Sequence, residues 1–243
     1  MIPAVRVVII VTGLAWSTIA LAAEPSGERP AALGSGRVVL VPLNLAVRAV
    51  AEVAPGLAPV WRELLQYCAS VAGPVVALER EGAGSLWNEV MAEMKEEVDR
   101  GDLYAAYGRF ARRVAEQAEV DRIVFPTVLT RAARVSGRVA EWDGVRRPVE
   151  VPGRPNESID TFPQGKIWLN RHGAQGELAA ASLHIAVLSA DGQLRFQGTG
   201  GLVLLQELST PKEREGLELS VVMRKDPFAD AASLRHGIAA AFR

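Results

Sequence analysis

Residues 37–81 read RVVLVPLNLAVRAVAEVAPGLAPVWRELLQYCASVAGPVVALERE, and the changes of character along them decide the fold. Val38 to Leu43 is an apolar, β-branched run of strand length, and Asn44 is placed to cap a following helix by accepting from its free amides. Pro55 and Pro59 interrupt that helix. Pro59 suits the first turn of a second helical segment reaching Val71, which Gly73 and Pro74 then stop. Val75 to Leu78 is another apolar strand. A strand, a crossover of helix length and a second strand form the unit that builds parallel sheets.

Downstream, helical spacing continues and then gives way to strands. Ser85 reads as the cap of a helix from Leu86 to Arg100, with Leu86, Val90, Met94 and Val98 on one face and Gly101 as terminator. Asp102 caps the next helix, whose apolar face is Leu103, Tyr107, Phe110 and Val114. Beyond Asp121 the pattern is strand-like, with Ile123 to Leu129 apolar and β-branched. Arg138 to Trp142 and Val145 to Val151 flank Asp143-Gly144, the strongest two-residue hairpin signal, and Asp191-Gly192 lies likewise between Leu183 to Leu188 and Gln193 to Phe196. Pro152 to Gly165 reads as a long exposed loop. A closing helix from about Ala229 uses Leu234, Ile238 and Phe242. The expected fold is α/β, a two- or three-layer sandwich with a mixed sheet: a parallel N-terminal strand-helix-strand unit, antiparallel hairpins and a C-terminal helix.

Upstream, Arg6, the apolar stretch Val7 to Leu21 and the small residues Ala20, Ala22 and Ala23 before Glu24 form a secretory signal. The stretch approaches the roughly 20 residues that a membrane span needs, and its small-residue end selects cleavage over anchoring. Residues 1–23 are therefore expected to be a signal peptide, 24–36 a flexible leader rich in Pro, Gly, Ala and charge, and 37–243 one α/β domain. Export predicts a periplasmic or secreted protein with no stable membrane span after cleavage.

The chain has 27 basic and 28 acidic residues, and losing Arg6 with the signal leaves a mature charge near −2. Such a balance excludes the basic excess of a nucleic-acid binder. The single cysteine, Cys68, rules out an intramolecular disulfide. It shares a helical stripe with Trp61, Leu64, Leu65 and Val71 and has no histidine or lysine nearby to lower its pKa, so it reads as a buried, inert thiol.

Candidate chemistry is sparse. The chain has three histidines. His184 lies in an apolar strand, His172 in a glycine-containing connection and His236 in the last helix, and no pair has zinc-site spacing. Gly84-Ser85 lacks the second glycine of a nucleophile elbow. Gly198-Thr199-Gly200-Gly201 precedes a strand rather than a helix and carries no Walker lysine, so it reads as a bulge or kink. Asn156-Glu157-Ser158 fits a glycosylation acceptor in the exposed loop. No cofactor or metal is expected. Trp142, Arg146 and Arg147, on the hairpin, are the expected partner contacts.

The order of these elements, with Val41-Pro42 closing the first strand and Val76 to Arg80 ending the second, resembles a group of bacterial envelope proteins. The group comprises the TolB amino-terminal domain, the curli-secretion lipoprotein family and the lipoprotein activators of penicillin-binding proteins. The resemblance implies a non-enzymatic role in assembly or contact with another envelope protein. This chain departs from the lipoproteins in lacking a lipid-attachment cysteine. The rival expectation is a periplasmic hydrolase pairing His184 or His172 with a carboxylate such as Asp121 or Asp143, which requires those groups to converge.

Overall fold

The computed structural model describes residues 7–8, 33–34, 36–72, 74–150, 168–170, 173–209 and 220–243. Along the chain, strand β1 (Val7–Val8) and β2 (Val38–Leu40) precede a 3-10 turn (Ala54–Gly56), helix α1 (Leu57–Ala72) and strand β3 (Val75–Leu78). Helices α2 (Arg80–Glu93), α3 (Lys95–Asp99) and α4 (Leu103–Ala115) follow. Then come β4 (Arg122–Gly137), β5 (Val139–Trp142), β6 (Val145–Pro148), β7 (Trp168–Asn170), β8 (Gly173–Ser189) and β9 (Leu194–Leu204). The ribbon β10 (Gln206–Ser209) and β11 (Ser220–Met223) and helix α5 (Ala231–Ala241) close the fold.

The fold is α/β with a mixed sheet. β2 lies parallel to both β3 and β4, whereas β4 and β8 run antiparallel from Arg122↔Ser189 to Gly137↔Ala174. β9 extends the sheet beyond β8, and β5 and β6 extend it beyond the far half of β4. β1 pairs antiparallel with β3.

Side chains alternate across each strand, so successive residues enter different cores. Val38, Leu40, Val124, Leu183 and Ile185 join α1 and α5 on one face. Val39, Val41, Ile123, Phe125, Ala186 and Leu188 join α2 and α4 on the other, which makes three layers. A third cluster, with Ala133, Val135, Trp142, Val145 and Leu178, lies where the β5–β6 hairpin folds over the far halves of β4 and β8. The molecule thus has an α/β lobe and a β lobe sharing two long strands.

Several local signals act as the sequence predicts. Asp102 accepts from the Ala105 amide at 3.0 Å and caps α4. Asp143 and Gly144 take φ of 37° and 77°, the left-handed pair a tight hairpin needs between Trp142 and Val145. The ladder shifts register between Ala181 and Ser182, opposite the glycine-rich run, as a bulge does. Those glycines also admit α5: a Cβ on Gly200 would collide with the Gly237 carbonyl, and one on Gly237 with the Gly201 carbonyl. Leu234 and Ile238 of α5 and the following Phe242 are buried.

Other expectations are corrected. Asn44 caps no helix, because residues 41–50 are irregular. It adopts φ 55°, and its side-chain amide bonds both the amide and the carbonyl of Val128 at 3.0 Å, continuing the ladder on β4 where β2 stops. Ser85 sits inside α2, which begins at Arg80 with no side-chain cap. The Arg80 guanidinium instead donates to the Leu43 carbonyl at 2.7 Å, tying the start of α2 to the segment that follows β2. The single helix expected to reach Arg100 breaks at Met94, dividing α2 from α3. Leu33, expected in a flexible leader, is 1 % exposed and packs with α1 and α5. The cleavage junction and the loop from Pro152 to Gly165 lie outside the described residues.

Candidate functional site

The sheet face beneath α2 and α4 changes chemistry along its length. On β4 the residues of this face are Ile123, Phe125, Thr127, Leu129 and Arg131, opposite Leu188, Ala186, His184, Ser182 and Ala180 of β8. The first two rows are apolar and carry the helices. The third, Thr127, His184 and Thr199 across β4, β8 and β9, is polar. It lies at the edge of the cover given by α4, before the hairpin covers the sheet again.

Two tyrosines of α4 reach this row. Tyr107 stacks on Phe125 with ring centroids 4.4 Å apart, and burial pushes its hydroxyl up to about 12 although Thr127 bonds it. Tyr104, 40 % exposed, donates to Gln197 Oε1 at 2.8 Å and lies 3.5 Å from His184 Nε2. Thr199 Oγ1 is 3.0 Å from His184 Nδ1.

With the Tyr104 proton on Gln197, the arrangement that satisfies every group has the imidazole hydrogen on Nε2, facing the Tyr104 oxygen, and Nδ1 accepting from the Thr199 hydroxyl. Burial, and then the charge of Arg131, hold His184 below its ordinary pKa of 6.5. The row is a neutral polar chain running from Thr199 through His184 and Tyr104 to Gln197.

A general-base histidine must become imidazolium in the transition state, and an anionic neighbour normally stabilises that form. Among the described residues no carboxylate bonds His184. Asp143 turns to Arg131, with Oδ2 3.4 Å from Nε. Asp121 lies where the parallel strands begin, accepting from the Arg37 amide at 2.7 Å. The hydrolase constellation expected from the sequence is not assembled between His184 and either aspartate. His172 lies outside the described residues, and His236 is exposed on α5.

The hairpin residues divide. Trp142 is 5 % exposed and donates its indole N–H to the Ala181 carbonyl at 3.3 Å, so it pins the hairpin to the sheet and presents no surface to a partner. Arg146 is exposed, opposite Glu141. Arg147 is opposite buried Ala140 and therefore on the inner hairpin face. Cys68 is fully buried, and burial pushes its thiol up to about 12, as expected of an inert residue.

A depression of about 780 Å³ lies at the start of β2 and β4, lined by Gly36, Arg37, Ala72, Pro74, Glu119, Val120 and Asp121. Its charges face one another: Arg37 lies 3.4 Å from Glu119, and its amide bonds Asp121. That leaves the walls with few groups free to bind. Among the described residues no cluster of three His, Cys, Asp or Glu could hold a metal, and no helix is long and apolar enough to cross a membrane.

Sequence reasoning found His184 but not Tyr104, Gln197, Thr199 or Arg131. The available signal was a polar residue in phase on otherwise apolar strands, Thr127 in one and His184 in the next. Only the strand register places those two side by side. No protein-family model matches the chain, nor does any curated protein or solved structure.

Proposed function

We propose that this chain is an exported, non-enzymatic binding protein of the bacterial cell envelope, periplasmic or secreted, that works by contact with another envelope protein. The observation that carries this reading is the half-exposed polar row between α4 and the β5–β6 hairpin. Tyr104 of α4 and His184, Thr199 and Gln197 of the sheet hold one another in place and leave the Gln197 amide N–H groups and the spare oxygen lone pairs for a partner, a surface suited to recognition. The charge beside it, Arg131, opposes the imidazolium that hydrolysis through His184 would require. The amino-terminal signal and the resemblance to envelope assembly proteins supply the compartment and the kind of partner. Arg146 extends the same side of the molecule as an exposed cation of the hairpin.

The test is in-cell photocrosslinking from Tyr104 and Arg146, read beside the cellular role of a His184→Ala variant. The proposal expects one discrete envelope protein to be captured at both positions, and the folded His184→Ala variant, which takes the central side chain out of the row, to capture less of it. Loss of the cellular role in His184→Ala with full stability and undiminished capture would replace the binding reading with the catalytic one.

A further inference from the structure

Among the described residues, five buried side-chain atoms have no hydrogen-bond partner: Asp143 Oδ2, Arg147 Nε and Nη2, Ser182 Oγ and Arg224 Nε. All lie in the β lobe or directly beneath its hairpin. Two have an ionic neighbour in less than ideal geometry, Asp143 with Arg131 at 3.4 Å and Arg224 with Glu207 at 3.5 Å. Among the described residues, Arg147 Nε and Nη2 make no hydrogen bond and Arg147 is in no ion pair.

The two empty positions on Arg147 are a matched pair. Nε–H and the Nη2–H beside it project in parallel from one edge of the guanidinium plane, the edge that grips a carboxylate or phosphate through two bonds. Register places Arg147 on the inner hairpin face with Ala140, Trp142 and Val145, where a valine or leucine would pack at no electrostatic cost. An unpaired cation there is a local violation of packing logic of the kind found at binding sites.

We propose that Arg147 anchors an oxyanion site, engaging a ligand or partner group with two coplanar oxygen acceptors through its Nε–Nη2 edge. This goes beyond the polar row around His184 and does not depend on it. That edge is buried, so an anion reaches it only where the guanidinium turns outward, and relief of the unpaired burial then adds to affinity. Asp230, the cap of α5, is the nearby competitor. Its carboxyl is held below the ordinary value first by the Ser233 hydroxyl, with the Arg147 charge a smaller cause. It is occupied at 2.5 Å by that hydroxyl and at 3.0 Å by the Ala232 amide.

The probes are inorganic phosphate and acetate, each titrated against chloride at equal ionic strength and read by thermal unfolding. At about a hundredfold excess over Kd, the effective oxyanion is expected to raise Tm by roughly 5–10 °C. A response to phosphate alone assigns a phosphorylated ligand, and a response to acetate assigns a carboxylate. Arg147→Met should remove the rise while raising Tm in anion-free buffer, whereas Arg146→Met on the outer face should keep it. Asp230→Asn, which still caps the helix, should tighten binding by about tenfold through loss of the competing charge. No response to either anion, or an unchanged response in Arg147→Met, would overturn the proposal.

Discussion

The two lobes share β4 and β8 yet treat buried polar groups in opposite ways. In the α/β lobe Asn44 is matched at both ends by Val128, and buried Glu63 is held by Arg235 at 3.2 Å. Ser189 is bonded by Arg195 Nε at 2.9 Å and closes on the Asp191 carboxylate. In the β lobe and beneath its hairpin, among the described residues, Ser182 Oγ and Arg147 Nε and Nη2 have no hydrogen-bond partner. Each buried donor or acceptor left unpaired costs about 1–3 kcal/mol. The difference is that, among the described residues, the α/β lobe pairs these buried polar groups internally whereas several in and beneath the hairpin are left without a hydrogen bond.

The largest effect should come from the α/β lobe. Phe110 is fully buried and packs on Trp87 and Phe125 at 5.9 and 5.4 Å between centroids. Phe110→Ala should cost about 3–5 kcal/mol, read from urea unfolding. A loss below about 1 kcal/mol would break the contrast between lobes at its foundation. Asn44→Gly keeps the left-handed backbone and removes only the side-chain bonds to Val128. It should cost about 2 kcal/mol, and hydrogen exchange at the Val128 amide should accelerate.

Trp142→Phe sharpens the same contrast from the other lobe. It removes the N–H···O bond to Ala181 while keeping most of the ring, so about 1 kcal/mol is expected. A cost equal to that of Phe110→Ala would mean that the hairpin, not the helical layers, carries the stability.

The smallest effect is one of pH. A folded pKa below the unfolded value means that the unfolded chain binds more protons, so stability is complete above the ordinary 6.5 of His184 and declines as pH falls below it. The slope should be shallow, because the ring is only half-buried, and His184→Gln should flatten it in a comparison of unfolding midpoints at pH 7 and pH 5.5. An unchanged slope in that variant would assign it to another group.

Much of the architecture was legible in local chemistry. Asp143-Gly144 forced a hairpin through its backbone preference, Asp102 capped a helix through its own side chain, and Val38 to Leu43, of which Val38–Leu40 is strand, and Val75 to Leu78 announced strands through β-branching. Less of the candidate site was legible. His184 stood out as a histidine in an apolar run, but its partners Tyr104 and Thr199 lie 80 and 15 residues away.

The sequence by itself determined most of the element types, the two Asp-Gly turns and the burial of Cys68, because those depend on residues within a few positions of one another. Tertiary structure alone decided the rest. Asn44 is a ladder extension and not a cap because Val128, 84 residues away, offers both an amide and a carbonyl. Ser85 is a helix-interior residue because α2 begins directly after β3, with Arg80 anchored to Leu43 across the parallel strands. Arg147 faces inward because its register with Ala140 fixes its side of the hairpin. A strand slipped by one residue would have turned Arg147 to solvent and Arg146 to the core.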